Sequence, residues 1–222
     1  MNKKYYDSFL YHSHRREFKD KVKKSKRIIK QAFENHTPYT SFSGGKDSTV
    51  MTDLVLKTYP EAYIWHWDYG ACLIPRNIYS EVVSNLKTLG AKNIIINKRT
   101  GSDARENHGS GYHQFFQQIK NNKDKYGFDM GLVGVRQEES ITRKNKYTDY
   151  FVNGDCYPLL KWTYADVWAY IVKHDLPYPS VYDYYAPVMG YDKARFVTFF
   201  DEEFQTLQGL MDGLVMPENR FL

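Results

Sequence analysis

One heptapeptide, Ser43-Gly44-Gly45-Lys46-Asp47-Ser48-Thr49, constrains the chain more than any other stretch. It follows a β-type run, Tyr39-Thr40-Ser41-Phe42, and precedes an apolar helical run, Val50-Met51-Thr52-Asp53-Leu54-Val55-Leu56. Strand, glycine turn and helix in that order aim backbone N–H groups and the positive end of a helix dipole at an anion. Two glycines let the backbone approach the anion and take up φ > 0 without a Cβ clash. Ser48 and Thr49 add hydroxyl donors and Lys46 a cation, so the stretch predicts a pocket for the phosphates of a nucleotide. It is not a Walker loop: Thr40 stands where that pattern needs its first glycine, and Asp47 where it needs Ser or Thr.

The alternation of patterns around this loop predicts an α/β fold. An amphipathic helix is expected over residues 14–35, with Phe18, Val22, Ile29, Ala32 and Phe33 on its apolar side. Tyr39–Phe42 is the first expected strand, and the helix after the loop runs to about Lys57. Tyr63–Trp67 is the second strand, Pro75 to Leu89 a helix, and Asn93–Asn97 a buried third strand. A polar loop follows over 98–110, then a helix from Tyr112 to Lys125 and a fourth strand, Met130–Val135. Residues Arg136 to Lys146 form a charged loop, and Thr148–Val152 with Cys156–Leu160 an edge hairpin turning at Asn153-Gly154. Thr163 caps a helix through His174. These elements give a doubly wound, mostly parallel, five-stranded sheet with flanking helices, Rossmann-like in outline. A nucleotide-binding domain is expected over 1–183, including the basic N-terminal helix, with 184–222 a helical extension packed on it. Ligands of such sheets sit at the carboxyl ends of the strands. Ser43–Thr49, Asp68–Gly70 and Gly134–Arg143 all fall there.

Composition narrows the class. The 222 residues, 42% apolar, suffice for one α/β core. No apolar run approaches the ~20 residues of a membrane span, and Met1–Asp7 has no apolar stretch of the kind a secretory signal carries. Cys72 and Cys156 are the two cysteines, too few for a cysteine-ligated iron–sulfur cluster or a four-thiolate zinc site. A cytoplasmic setting is expected. Residues 15–30 carry Arg15, Arg16, Lys19, Lys21, Lys23, Lys24, Lys26, Arg27 and Lys30 within a net charge of +5. Such a run is either a nucleic-acid patch or the solvated face of a helix. Tyr184, Tyr185, Phe196, Phe199 and Phe200 are candidates for a homodimer interface.

The loop resembles the SGGxDS pyrophosphate loop of the ATP pyrophosphatases. His66-Trp67-Asp68-Tyr69-Gly70 is similar to the His-x-Asp-Thr-Gly segment of phosphoadenylylsulfate (PAPS) reductases, with Tyr for Thr. Gly134-Val135-Arg136-Gln137-Glu138-Glu139-Ser140-Ile141-Thr142-Arg143 resembles their G-[IV]-R-x-x-E-S-x-x-R segment. Pro158 to Ile171 and Leu176 to Asp183 are similar to two further, mainly architectural, stretches of that family. The chain is thus identified as a PAPS reductase-like member of the PP-loop superfamily, with the adenine nucleotide alpha-hydrolase-like fold that this implies.

The resemblance implies a site. Ser43, Gly44, Gly45, Lys46, Asp47, Ser48, Thr49, Asp68, Gly134 and Arg136 would bind the nucleotide. Lys46, Asp47 and Arg136 would be catalytic, and Arg136 offers a planar fork to phosphate or sulfate oxygens. Glu139, Arg143 and Trp162 would face the second substrate, and Asp47 and Asp68 would hold Mg²⁺. Asp68 also reads as a cap for the turn after it. The reductases carry a C-terminal Glu-Cys-Gly-Leu-His thiol motif, whereas this chain ends Gly213-Leu214-Val215-Met216-Pro217-Glu218-Asn219-Arg220-Phe221-Leu222. The leading expectation is therefore ATP cleavage between the α- and β-phosphates, with adenylyl transfer to an unidentified acceptor and pyrophosphate release. Two alternatives stand beside it. One is a PAPS or APS reductase-like oxidoreductase, in which Cys72 or Cys156 supplies the thiol. The other is the nucleotide-binding subunit of a DNA or tRNA sulfur-modification complex.

Overall fold

The computed structural model describes residues 1–71, 74–100 and 108–196. Cys72, Phe199, Phe200, most of the 98–110 loop and the chain beyond residue 196 lie outside the described residues. The elements in order are α1 (Lys3–His12), α2 (Arg16–Asn35), β1 (Pro38–Phe42), α3 (Lys46–Leu56), β2 (Tyr63–Asp68), α4 (Arg76–Thr88), β3 (Asn93–Lys98) and α5 (His108–Tyr126). They continue with β4 (Met130–Leu132), a 3₁₀ turn at Gln137–Glu139, α6 (Ile141–Lys146), β5 (Phe151–Val152), β6 (Asp155–Cys156), α7 (Tyr164–His174) and α8 (Val181–Met189).

The sheet runs β3-β2-β1-β4-β6-β5, with six strands where the sequence predicts five. The difference lies in the hairpin. Asn153 and Gly154 both take positive φ (54° and 76°), as a tight two-residue hairpin turn requires. The return strand β6 then pairs parallel to β4, Leu132 opposite Cys156, so the hairpin joins the main sheet and only β5 runs antiparallel. A second correction concerns β3. It is the edge strand, bonded to β2 alone among the described strands, and Ile96 is exposed rather than buried.

Helices cover both faces. Ile64 of β2 enters the larger cluster with residues of α2, α3, α4, α7 and α8. Its neighbours Trp65 and Trp67 point the other way, onto Tyr39, Ile95 and Phe128 and the α5 residues Phe115 and Ile119. Helix α1 was not expected from the sequence. Its N-cap is Asn2, whose side chain accepts from the Tyr5 N–H at 3.1 Å, and Phe9 packs against Trp168 of α7. Asp166 binds the N-terminal helices to α7. It accepts from the Thr163 N–H at 2.7 Å in a reciprocal cap and pairs with His12 at 2.8 Å and Lys21 at 2.5 Å. Helix α8 crosses residue 183, where a domain limit was expected, and its Tyr182 and Ala186 belong to the same core.

The strand order positions the site. From β1 the chain moves outward through β2 to β3, then crosses back by α5 to place β4 on the other side of β1. The strand order therefore reverses between β1 and β4, and the loops leaving these two strands stand at the topological switch point, the place where open α/β sheets take their ligands.

Candidate functional site

The loop after β1 is built by close approach. Gly44 has φ +85°, and a Cβ there would stand 2.6 Å from Val82 Cγ1 on α4. A Cβ on Gly134 would stand 3.2 Å from the backbone of Asp47 and Ser48, so that glycine lets the chain leaving β4 lie against the first turn of α3. The serines and threonine expected to offer hydroxyls to phosphate brace the loop itself. Ser48 Oγ donates to the Gly45 carbonyl at 2.9 Å and accepts from the Ser43 N–H at 3.2 Å, while Thr49 Oγ1 donates to the same carbonyl at 3.1 Å.

Charge at the start of α3 is concentrated and buried. Lys46 is 1% exposed, and its Nζ donates to Asp47 Oδ2 and to the Ala194 carbonyl, both at 3.0 Å. Its backbone N–H donates to Tyr182 Oη at 3.2 Å. Arg136 is 2% exposed; its Nε donates to Asp47 Oδ1 and its Nη1 to Glu138 Oε2 at 2.7 Å. Burial alone would raise the Asp47 carboxyl, but the Arg136 and Lys46 charges, and the hydrogen bonds those groups donate, hold it well below the usual carboxylate range. Burial likewise works against the Arg136 charge, and Asp47, Glu139 and Glu138 more than offset it. Glu139 accepts from the Arg136 backbone N–H at 3.1 Å and from Arg143 Nη1. Arg195 donates to the Glu139 carbonyl, bringing a second residue of the 190–196 segment to the site.

Asp68 lies at the end of β2, held by other partners. Arg76, at the start of α4, grips it with both terminal nitrogens at 2.9 Å, and the Gly70 N–H donates to it at 2.8 Å. Burial would raise its pKa; the Arg76 and Gly70 hydrogen bonds lower it. On the same strand His66 contacts the Phe42 carbonyl through Nδ1 at 2.7 Å, and its Nε2 is buried with no hydrogen-bond partner. Burial lowers its pKa and so favours the neutral ring; because a carbonyl only accepts, Nδ1 is the donor in that contact and Nε2 in the neutral ring is an acceptor.

Neither aspartate fits a protein-built Mg²⁺ site. Asp47 is taken up by Lys46 and Arg136, and Asp68 by Arg76. Among the described residues no group of three or more His, Cys, Asp or Glu side chains could hold a metal. Trp162, expected to face substrate, lies instead in the core. Its indole N–H donates to Ser25 Oγ on α2 at 2.9 Å, and its ring packs on Phe18 and Tyr170. Cys156 is fully buried in β6, and burial with the neighbouring Asp155 charge pushes its thiol up to about 12. Tyr184 and Tyr185 are exposed, whereas Phe196, expected beside them at an interface, is buried. The Phe196 Cβ stands 3.2 Å from where a Gly45 Cβ would be.

The geometry brings Ser43–Thr49, Gly134, Arg136, Glu139 and Arg143 into one network and places Asp68 with Arg76. Sequence reasoning missed Arg76, Tyr182, Ala194 and Arg195. Tyr182 had a signal, since it belongs to the Leu176–Asp183 stretch read as architecture.

A phosphate-type loop with a buried lysine and arginine thus stands at the switch point of a mostly parallel α/β sheet. The family model for the phosphoadenosine phosphosulfate reductase domain matches residues 37–191, and the chain belongs to that family. Among curated relatives, the adenosine 5'-phosphosulfate reductase of Bacillus anthracis is 40% identical over 70 residues, 28% of this chain and 29% of that protein. The reductase of Bacillus cytotoxicus is 39% identical over 70 residues, 28% of each. The chain therefore spans less than a third of the curated relatives it matches. Among solved structures, the PAPS reductase of Candida auris, crystallised as a phosphate complex, superimposes with a TM-score of 0.55 at 17% identity. That match covers 72% of this chain and 84% of the other and supports the fold alone.

Proposed function

We propose that the protein is a sulfonucleotide-handling enzyme of sulfur metabolism, binding an adenosine phosphosulfate with its anionic chain across the loop after β1 and its sulfate end toward Arg136. The observation that carries this is the family match over residues 37–191, which contains the loop, Asp68 and the Arg136 network in one span. In reductive use, a thiolate attacks the sulfur, an S–S bond forms, the S–O bond to the nucleotide breaks, and the nucleotide leaves as its phosphate. One thiol of a dithiol reductant then attacks the protein's sulfur, sulfite leaves and a mixed disulfide forms; the reductant's second thiol resolves it, returning the protein thiol and leaving the reductant as a disulfide. Cys156 does not suit the first role, because a thiol pushed up to about 12 and sealed in the sheet is neither ionised nor reachable. Cys72 is the other thiol in the sequence.

The sealed, un-ionised Cys156 thiol is what favours a second reading, cleavage of ATP between the α- and β-phosphates with the intact loop holding the leaving pyrophosphate and Mg²⁺ carried by the phosphates themselves. One experiment separates the two. The purified protein is given adenosine 5'-phosphosulfate or PAPS with dithiothreitol and assayed for sulfite, and in parallel given ATP and Mg²⁺ and followed by ³¹P NMR. Sulfite release that Lys46→Ala and Cys72→Ser each abolish supports the first reading. Pyrophosphate release that Lys46→Ala alone abolishes supports the second. Activity of either kind undiminished in Lys46→Ala overturns the site.

A further inference from the structure

Helix α2 carries a charge pattern that the nucleotide site does not use. Lys19, Lys23, Lys26 and Lys30 recur at i, i+4, i+7 and i+11, the spacing that places side chains on one face of a helix, and Arg16 and Arg27 flank them. All six are exposed. The opposite face of the same helix is buried through Phe18, Ser25, Ile28, Ile29 and Ala32, so the register of the cationic face is fixed by the core. Arg16 pairs with Asp20 and Lys30 with Glu34, whereas Lys19, Lys23, Lys26 and Arg27 form no salt bridge among the described residues. From Lys19 to Lys30 the stripe is about 16 Å long at 1.5 Å per residue.

The field extends beyond the helix. Lys173 in the last turn of α7 and Lys26 both bear on the ring of His174, as does Lys57 at the end of α3, which is itself paired with Asp53 at 2.8 Å. At its other end a chain of polar contacts links α2 to the Arg136 network. Lys21 pairs with Asp166 in the first turn of α7, and the Tyr164 N–H at that helix start donates to Glu138, the partner of Arg136.

We propose that this face of α2 binds the phosphate backbone of a nucleic acid. Regularly spaced, unpaired cations on a rigid element match a polyanion with repeating charge, and they read no base sequence. The surface is unsuited to a bilayer, because none of the exposed large apolar side chains among the described residues lies on α2, and an interfacial helix needs such groups to insert.

The test is fluorescence anisotropy with the full chain and two labelled probes of arbitrary sequence, a 20-base-pair DNA duplex and a 20-nucleotide single strand, between 50 and 200 mM salt. Four phosphate-neutralising cations predict that affinity for the duplex falls on the order of 100-fold over that range, and for the single strand about 50-fold. Which probe binds more tightly assigns the form of nucleic acid. Replacing Lys19, Lys23, Lys26 and Arg27 singly by Gln, a good helix former that keeps α2 intact, should lower the magnitude of the log–log salt slope by up to about 1 each. The quadruple variant should lose binding while keeping the wild-type melting temperature and nucleotide affinity. Lys3→Gln/Lys4→Gln, on exposed positions of α1, should leave the slope unchanged. A wild-type slope shallower than −1 with both probes overturns the proposal. So does a folded quadruple variant that binds as wild type, an equal loss in the α1 control, or tighter binding to phosphatidylserine vesicles at matched phosphate concentration.

Discussion

Replacing Asp47 by Asn tests the charge network at its centre. Asp47 is the sole described carboxylate that touches both Lys46 and Arg136, and those two cations are 1% and 2% exposed. Asn keeps the size and an acceptor oxygen but removes the charge that offsets two buried cations. Removing one member of a buried ion pair costs about 3–5 kcal/mol. The Asp47 side chain is 15% exposed, so water recovers part of this and the lower end, about 3 kcal/mol, is expected. For a chain of this size that lowers Tm by about 6–12 °C. The pH dependence carries the sign. The folded-state pKa of Asp47 is depressed, so its contribution is fully present above the unfolded carboxylate value and is lost as pH falls from there toward the folded one. The gap between wild type and Asp47→Asn should be full at pH 7 and shrink below about pH 4. Urea titrations at pH 7, 5, 4 and 3 measure it. A difference below 1 kcal/mol at pH 7, or a gap that stays constant to pH 3, refutes the reasoning.

Two further outcomes follow from the same geometry. Gly44→Ala should destabilise by about 2–6 kcal/mol, combining the cost of a positive φ with overpacking against Val82; in urea titrations in a Val82→Ala background, whose own cavity cost is measured separately, the same change should cost less, because only the φ part remains. In a Cys72→Ser background, Cys156 should resist thiol reagents at pH 8 in the folded protein and react fully in denaturant, as its burial and raised pKa require.

The parts of the molecule legible in the sequence are those whose cause is local. The loop after β1 is readable because glycines, lysine and hydroxyls within seven positions carry both its shape and its chemistry. Arg136 is readable because it follows a strand of the right pattern. What escaped reading depends on partners distant in the chain. Trp162 before a helix cap looks the same whether it faces a pocket or a core, and its hydrogen-bond partner Ser25 lies 137 residues away. Tyr182 reaches the Lys46 N–H across 136 residues. Arg76 has no local signature as the clamp on Asp68, since an arginine at a helix start after proline is ordinary. Helix α1 was hidden by its composition, in which Phe9 is the one fully buried side chain. The sixth strand depends on β6 choosing β4 as a neighbour, which no local pattern encodes.

The cations at the centre of the site are already ion-paired, and on the proposed reading that decides how an anion enters. Lys46, Arg136 and Arg143 are matched by Asp47, Glu138 and Glu139, so a polyanionic ligand must compete with internal carboxylates for the same donors. The three carboxylates are not equally able to yield. Asp47 and Glu139 are 15% and 7% exposed, and turning either away would leave a buried charge behind. Glu138 is 41% exposed and reaches Arg136 through Nη1 alone, so of the three carboxylates it gives up least on turning to water, losing that contact and the Tyr164 N–H. On the proposed reading, Arg136 Nη1 is therefore the donor that an incoming phosphate or sulfate would take over. Glu138→Gln weakens the competitor while keeping an acceptor for the Tyr164 N–H, which now donates to Glu138 at 2.5 Å. It should tighten adenine-nucleotide binding by up to about fivefold, the equivalent of 1 kcal/mol, in isothermal titration. Unchanged or weaker binding in Glu138→Gln would mean that the ligand does not use that side of Arg136, and the anion would then have to be placed on Lys46 and the loop alone.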